Sequence, residues 1–303
     1  MDLDFGFGSG GGGNYDLSLV DRYGNALPTK SVSNDISWDL RTLTPYDWAD
    51  IFLSREASWG GSIIENALID LCVDLKSWGS KNKLPVYYPN IGSTANNCRW
   101  NLMYPFNSNS GNRVTFGSGF TYTNKGVVCT GNGANCFYHP NMIKTQVSAG
   151  AGYGFYQTSE FINPLSVGAR MFLGENAANN RWSYFTIRPS DGRVTYACQG
   201  DTLIYTPPSV PLTQIGSKLV TRVGNSIFYY ANGVLQNSGV SGYIETSGAI
   251  VFSNGYLLYG SNAFTSDNYD ASIGSVYFFT DGLNSTEIAE FNTIIQTFES
   301  IVR

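Results

Sequence analysis

The stretch Arg222–Leu235, RVGNSIFYYANGVL, decides the fold. An aromatic run from Ser226 to Tyr230 leads into Ala231-Asn232-Gly233-Val234. Asn and Gly tolerate the positive φ that a tight hairpin turn requires, so the stretch predicts a strand, a turn and a returning strand. A second hairpin signal, Ser190-Asp191-Gly192-Arg193, separates alternating runs at 182–188 and 193–198.

The same texture extends outward from these two turns. From Cys98 onward, short apolar and aromatic runs recur between Gly, Asn, Ser and Asp, among them RVTFG (113–117), KGVVCTG (125–131), GYGFYQT (152–158), KLVTRVG (218–224) and SIGSVYFFT (272–280). Many short strands at such spacing predict a sandwich or barrel. A helix follows the last strand, with Asn284 and Glu287 as a capping pair and Ile288, Phe291, Ile294, Ile295, Phe298 and Ile301 on one face.

Residues 222–235, together with Ile273–Phe279, Gly282-Leu283-Asn284 and Glu287-Ile288, resemble the aromatic strand, NG turn, final strand and closing helix of laminin-G-like, concanavalin A-like jelly rolls. The resemblance spans 98–303. It implies a mainly β chain: a concanavalin A-like antiparallel β-sandwich (jelly roll) preceded by a small α-containing N-terminal module. Such sandwiches, joined to a small N-terminal module, resemble phage virion fibre, spike and head-decoration proteins. The function this implies is a non-enzymatic virion structural protein, in head or tail, displaying a lectin-like domain to host-surface glycans. A free lectin and a glycan-active hydrolase of the same fold are the alternatives.

The N-terminal third divides by composition. Residues 1–14 hold the run GSGGGG (8–13), expected to be a flexible arm. Residues 15–97 are expected to be an assembly module with helices near 45–54 and 62–78. Thr44, Pro45 and Asp47 read as N-cap, first-turn proline and acidic first turn, and Ser62-Ile63-Ile64-Glu65 reads as a capping box. Within the second helix Ile64, Leu68, Leu71 and Leu75 recur every three or four residues, making an apolar stripe that must be covered. A second copy of the chain, giving a homo-oligomer, and the rest of the same chain are both open as its cover. Leu84–Pro89 reads as an extended connector.

Composition narrows the partners. Charged residues make up 14% and the net charge is −5, so no basic field exists to hold a polyphosphate backbone, and nucleic acid is excluded. No run approaches the ~20 apolar residues that span a bilayer, so membrane insertion is not expected. The opening MDLDFGFGSGGGGNYD lacks a basic and an apolar region, so it is not read as a secretory signal. The expected location is the virion, made in a host cytoplasm, with other virion proteins contacted through the N-terminal module.

The five cysteines, Cys72, Cys98, Cys129, Cys136 and Cys198, contain no CxxC pair, and His139 is the one histidine, so no zinc site is expected. Cys129 and Cys136 flank a TGNGAN turn from which they could pair across a hairpin, although free thiols are the expectation. The resemblance would place a hydrolase's carboxylates as Glu-x-Asp-x-(x)-Glu on one strand, and no such run exists. No catalytic residue is assigned.

Binding is the better-supported chemistry. Along Arg181–Arg188, alternation sends Ser183, Phe185 and Ile187 to one face and Trp182, Tyr184, Thr186 and Arg188 to the other. The second set combines aromatic plates with polar tips, the mixture that stacks on sugar rings, and Asn179 and Asn180 lie in the loop before it. The expected glycan site is therefore Asn179, Asn180, Trp182, Tyr184 and Arg188. No cofactor is expected beyond a Ca²⁺ candidate at Asp267 and Asp270, in the turn TSDNYD (265–270).

Overall fold

The computed structural model describes residues 15–16, 31–32, 44–56, 58–103, 114–116, 120–129, 136–138, 150–161, 169–176, 181–187, 192–200, 204–206, 215–241, 256–258 and 271–303. In chain order the first elements are β1 (Tyr15–Asp16), β2 (Ser31–Val32), α1 (Pro45–Leu53), α2 (Ser62–Ser77), β3 (Val86–Tyr88) and α3 (Ala95–Cys98). There follow β4 (Thr115–Phe116), β5 (Phe120–Thr123), β6 (Gly126–Cys129), β7 (Cys136–Tyr138), β8 (Gly150–Gln157), β9 (Ala169–Asn176), β10 (Arg181–Ile187), β11 (Val194–Gly200) and β12 (Ile204–Tyr205). The last are β13 (Gly216–Val223), β14 (Ser226–Ala231), β15 (Val234–Val240), β16 (Tyr256–Leu258), β17 (Ile273–Phe279) and α4 (Ser285–Val302).

Two antiparallel sheets form the sandwich. One has the order β12-β11-β10-β9-β16-β7-β4 and the other β15-β14-β13-β8-β17-β6-β5. Both expected hairpins are present: Ala231 pairs Val234 around Asn232 (φ 50°) and Gly233 (φ 77°), and Ile187 pairs Val194 across the second turn. Two consecutive positive φ values match the right-handed twist of the strands they join.

The period-two alternation of the second sheet serves two cores. On β17, Val276 and Phe278 face the first sheet, while Tyr277 and Phe279 face a layer of helices, and every residue of the strand is buried. On β13 the same division separates Val220 from Leu219. Between the sheets, Phe155 packs edge-on against Phe185 (5.2 Å), which meets Tyr229 (5.5 Å). On the other side, Trp48 and Phe52 of α1, Leu68, Leu71 and Leu75 of α2, and Phe291, Ile295 and Phe298 of α4 cover Leu219, Tyr230, Tyr277 and Phe279. These elements thus stack in three layers: helices, sheet, sheet.

This arrangement corrects several expectations. The stripe on α2 is covered by its own chain: Leu68, Leu71 and Leu75 are buried against α1, α4 and the sheet, and Ile64 packs at their margin. Ile63, on the opposite side, is 69% exposed. Leu84–Pro89 is more than a connector, because β3 within it pairs with β17 (Val276 with Tyr88, Tyr277 with Tyr87). The other edge of β3 is satisfied too, by the Tyr87 N–H donating to Asn101 Oδ1 (3.0 Å) and the Leu102 N–H donating to the Tyr87 carbonyl (2.8 Å). The expected boundary at 97/98 therefore runs through one shared core. Cys129 lies on β6 and Cys136 on β7, strands of different sheets, so they are not hairpin partners.

The helix starts follow local chemistry. Thr44 caps α1 with a reciprocal bond to Asp47, and Asn284 and Glu287 do the same for α4. Ser62 does not cap α2, however: Gly61 (φ 108°) is the N-cap, its carbonyl accepting from Ile64 and Glu65, and Ser62 is already the first helical residue. Among the described residues no helix is long and apolar enough to cross a membrane. The glycine run 8–13 lies outside the described residues.

Candidate functional site

The face of the seven-stranded sheet turned away from the inter-sheet core is the candidate site, and β10 runs through it. Phe185 and Ile187 are buried in the core, as the alternation requires. Thr186, between them, takes the opposite face. It is 8% exposed, and its Oγ1 is sealed from solvent and has no hydrogen-bond partner among the described residues.

Register carries this position across four strands. Thr186 pairs with Arg170 on β9 and with Thr195 on β11, and Thr195 pairs with Tyr205 on β12. Directly opposed residues share a face. The row therefore reads Arg170, Thr186, Thr195, Tyr205, with Thr195 half-buried. The next row is Phe172, Tyr184 and Ala197, and the one beyond it is Glu175, Trp182 and Gly200. Register shifts fall between Ser183 and Tyr184 against β9 and between Trp182 and Tyr184 against β11. Each adds a residue to a neighbouring strand rather than to β10. Bulges of this kind increase local twist and re-aim the residues beside them.

Beneath the face the sheets are tied by polar groups as well as packing. The Tyr153 hydroxyl donates to the Ala197 carbonyl at 2.7 Å. Arg222 on β13 donates from Nε to the Gly224 carbonyl (2.7 Å) and from Nη1 to the Cys198 carbonyl of the opposite sheet (3.4 Å). The Tyr196 and Tyr229 rings lie 5.5 Å apart, and both hydroxyls are buried without a partner among the described residues, so burial pushes their ionisation up. At the other end of β13, Lys218 is fully buried, with Nζ 3.4 Å from the Gly216 carbonyl. Desolvation lowers its pKa to about 7. Burial likewise raises Cys198 to about 12, which makes its thiol inert.

Of the residues expected from sequence, Trp182 and Tyr184 lie on β10 with the parity of Thr186. Asn179, Asn180 and Arg188 lie outside the described residues, as do Asp267 and Asp270. Arg170, Thr195 and Tyr205 were not expected, because they come from three other strands. The closing pair Ile187–Val194 of the hairpin held the signal for one of them, since stepping back one residue on each side gives Thr186 opposite Thr195. Among the described residues, no group of three His, Cys, Asp or Glu is placed to hold a metal ion.

No family model matches the chain, and no curated protein matches it. Solved structures do resemble it. Trypanosoma rangeli sialidase aligns with a TM-score of 0.51 at 11% identity over 72% of this chain and 33% of its own. The botulinum neurotoxin serotype D binding domain aligns at 0.48 and 14% identity, over 70% of this chain and 51% of its own. The Ruminococcus gnavus IT-sialidase CBM40 aligns at 0.38 and 13% identity, over 53% of this chain and 93% of its own. At such identity the likeness is one of fold: an antiparallel β-sandwich.

Proposed function

We propose that the chain is a non-enzymatic, lectin-like binding protein that presents the outer face of its seven-stranded sheet to glycans. The observation that carries this reading is the register that aligns Arg170, Thr195 and Tyr205 of β9, β11 and β12 on one face, across Thr186 of β10, whose sealed hydroxyl is no part of the contact. A sugar offers hydroxyls around a ring with an apolar face, and hydroxyl, cationic and aromatic residue types aligned on one sheet face suit it. The neighbouring rows add Tyr184 and Trp182, the residues expected from sequence.

The setting we propose is a phage virion. The glycine run ahead of the sandwich supports tethered display, held to other virion proteins. Homo-oligomeric copies would convert weak single sites into firm attachment through effective concentration.

A glycan array with the full chain tests the site. Binding to one glycan class, weakened about tenfold by Thr195→Val or Tyr205→Ala, is the expected result, that factor being about 1.4 kcal/mol. No binding to any arrayed glycan would overturn it. Recovery of the bound glycan intact after prolonged incubation separates the lectin from the hydrolase. Mass spectrometry of purified particles tests the virion setting on its own, and absence of the chain there discards that setting alone.

A further inference from the structure

Two arginines converge on one indole in a part of the molecule remote in sequence from the candidate face. Arg55 follows the last turn of α1 and Arg99 follows α3, and their guanidinium carbons lie 5.6 and 5.4 Å from the centroid of the Trp100 ring. The two carbons are thus no farther apart than the sum of those distances. Both arginines are half-buried, while Trp100 is buried.

The surrounding bonds hold this geometry. Trp100 donates from Nε1 to Glu56 Oε1 at 2.8 Å, and Trp59 donates from Nε1 to the Leu53 carbonyl at 2.8 Å. Asn97 Nδ2 donates to the Ser58 carbonyl at 2.9 Å, which fastens the loop after α1 to the segment that carries Arg99.

Two cations brought against one ring repel each other, and the Glu56 carboxylate accepts the indole N–H. Arg99 makes no ion pair among the described residues, and its Nε, sealed from solvent, meets no acceptor. A guanidinium stacked on an aromatic face is restrained in orientation, and Arg99 keeps part of its surface in solvent. The fork geometry of a guanidinium matches two oxygens of an oxyanion.

We propose that Arg99, assisted by the charge of Arg55 and held by Trp100, is a receptor for an oxyanion: the carboxylate, phosphate or sulfate group of a soluble ligand. This site is separate from the glycan face and does not depend on it.

The test is a titration of the full chain with sodium sulfate, ionic strength being held constant with chloride and tryptophan fluorescence followed. A saturable change with a midpoint of about 1 mM is expected. Arg99→Gln should weaken it at least about tenfold, and Arg55→Gln by a smaller factor. Should Arg99→Gln not fold, Arg99→Lys keeps the charge but loses the fork, and the same weakening is expected. Parallel titrations with inorganic phosphate and with glucuronate distinguish a phosphoryl source from a carboxylated sugar, the tighter of the two naming the source. A sulfate response that does not saturate, or that is identical in the wild-type chain and the Arg99 variant, would overturn the proposal.

Discussion

Glu299, in the last turn of α4, accepts a hydrogen bond from the backbone N–H of Ser275 in the middle of β17 at 2.9 Å. The same oxygen accepts from the Ser275 hydroxyl, which is itself bonded to the Tyr87 hydroxyl at 2.6 Å. The other carboxylate oxygen takes Arg303 Nε at 2.8 Å. Arg303 in turn donates to the carbonyls of Pro89 (2.7 Å) and Asn90 (3.1 Å) beside β3. One buried carboxylate thereby joins the last helix, the central strand and β3.

Removing that carboxylate leaves Arg303 partly buried without its counter-charge. Glu299→Leu should therefore destabilise the chain by about 3 kcal/mol, within the range for breaking a buried pair. Urea denaturation followed by far-ultraviolet circular dichroism measures it, and a change below ~1 kcal/mol would show that solvent replaces the pair at little cost.

Leu71→Ala should act on stability and not on assembly. The side chain is buried within one chain, so its truncation is expected to cost about 2–5 kcal/mol, with no change of mass in light scattering. For the same reason a 98–303 fragment, stripped of β3 and of the two helices that cover Leu219 and Tyr277, should fail to give a cooperative transition.

Stability should depend on pH through Lys218. Its pKa is lowered from 10.5 in the unfolded chain to about 7 in the folded one. Between these values the unfolded chain binds a proton that the folded chain does not. Stability from this group therefore rises with pH across that window, by at most about 1.4 kcal/mol per pH unit, and is flat below it. Thermal melts from pH 6 to 10 should lose this slope in Lys218→Met, and an unchanged slope would refute the assignment.

Thr186→Val exchanges a sealed hydroxyl, unpartnered among the described residues, for a methyl group of similar shape. A buried polar group without a partner carries a desolvation penalty, so the variant should be as stable as the parent or more stable by about 1 kcal/mol. A loss of more than ~1 kcal/mol would mean that the hydroxyl is bonded in solution.

What the sequence discloses and what it hides divide by the range of the interaction. Asn232-Gly233 and the Asn284–Glu287 pair are local chemistry, and both appear in the structure as read. The spacing of Leu68, Leu71 and Leu75 states that a face must be covered and is silent about the cover, which comes from residues two hundred positions away in α4 and β17. Ser62 and Glu65 have the right spacing for a capping box, but the carbonyl that closes the first turn belongs to Gly61. On β10, alternation along one strand predicts that Trp182 and Tyr184 share the parity of Thr186, and the register agrees. Arg170 and Tyr205 join them only through a register set by strand pairing, which no single-strand pattern encodes.

The position of β17 also orders the events of synthesis. It lies between β8 and β6 in its sheet and pairs β3 as well, yet it leaves the ribosome after every other strand. Until then the nascent chain holds a gap at the middle of that sheet, with the edges of β8 and β6 open. An open, apolar edge is a template for pairing with another molecule. Emergence of residues 273–279 is thus the step that closes this gap and ends the chain's risk of joining its neighbours on the same messenger.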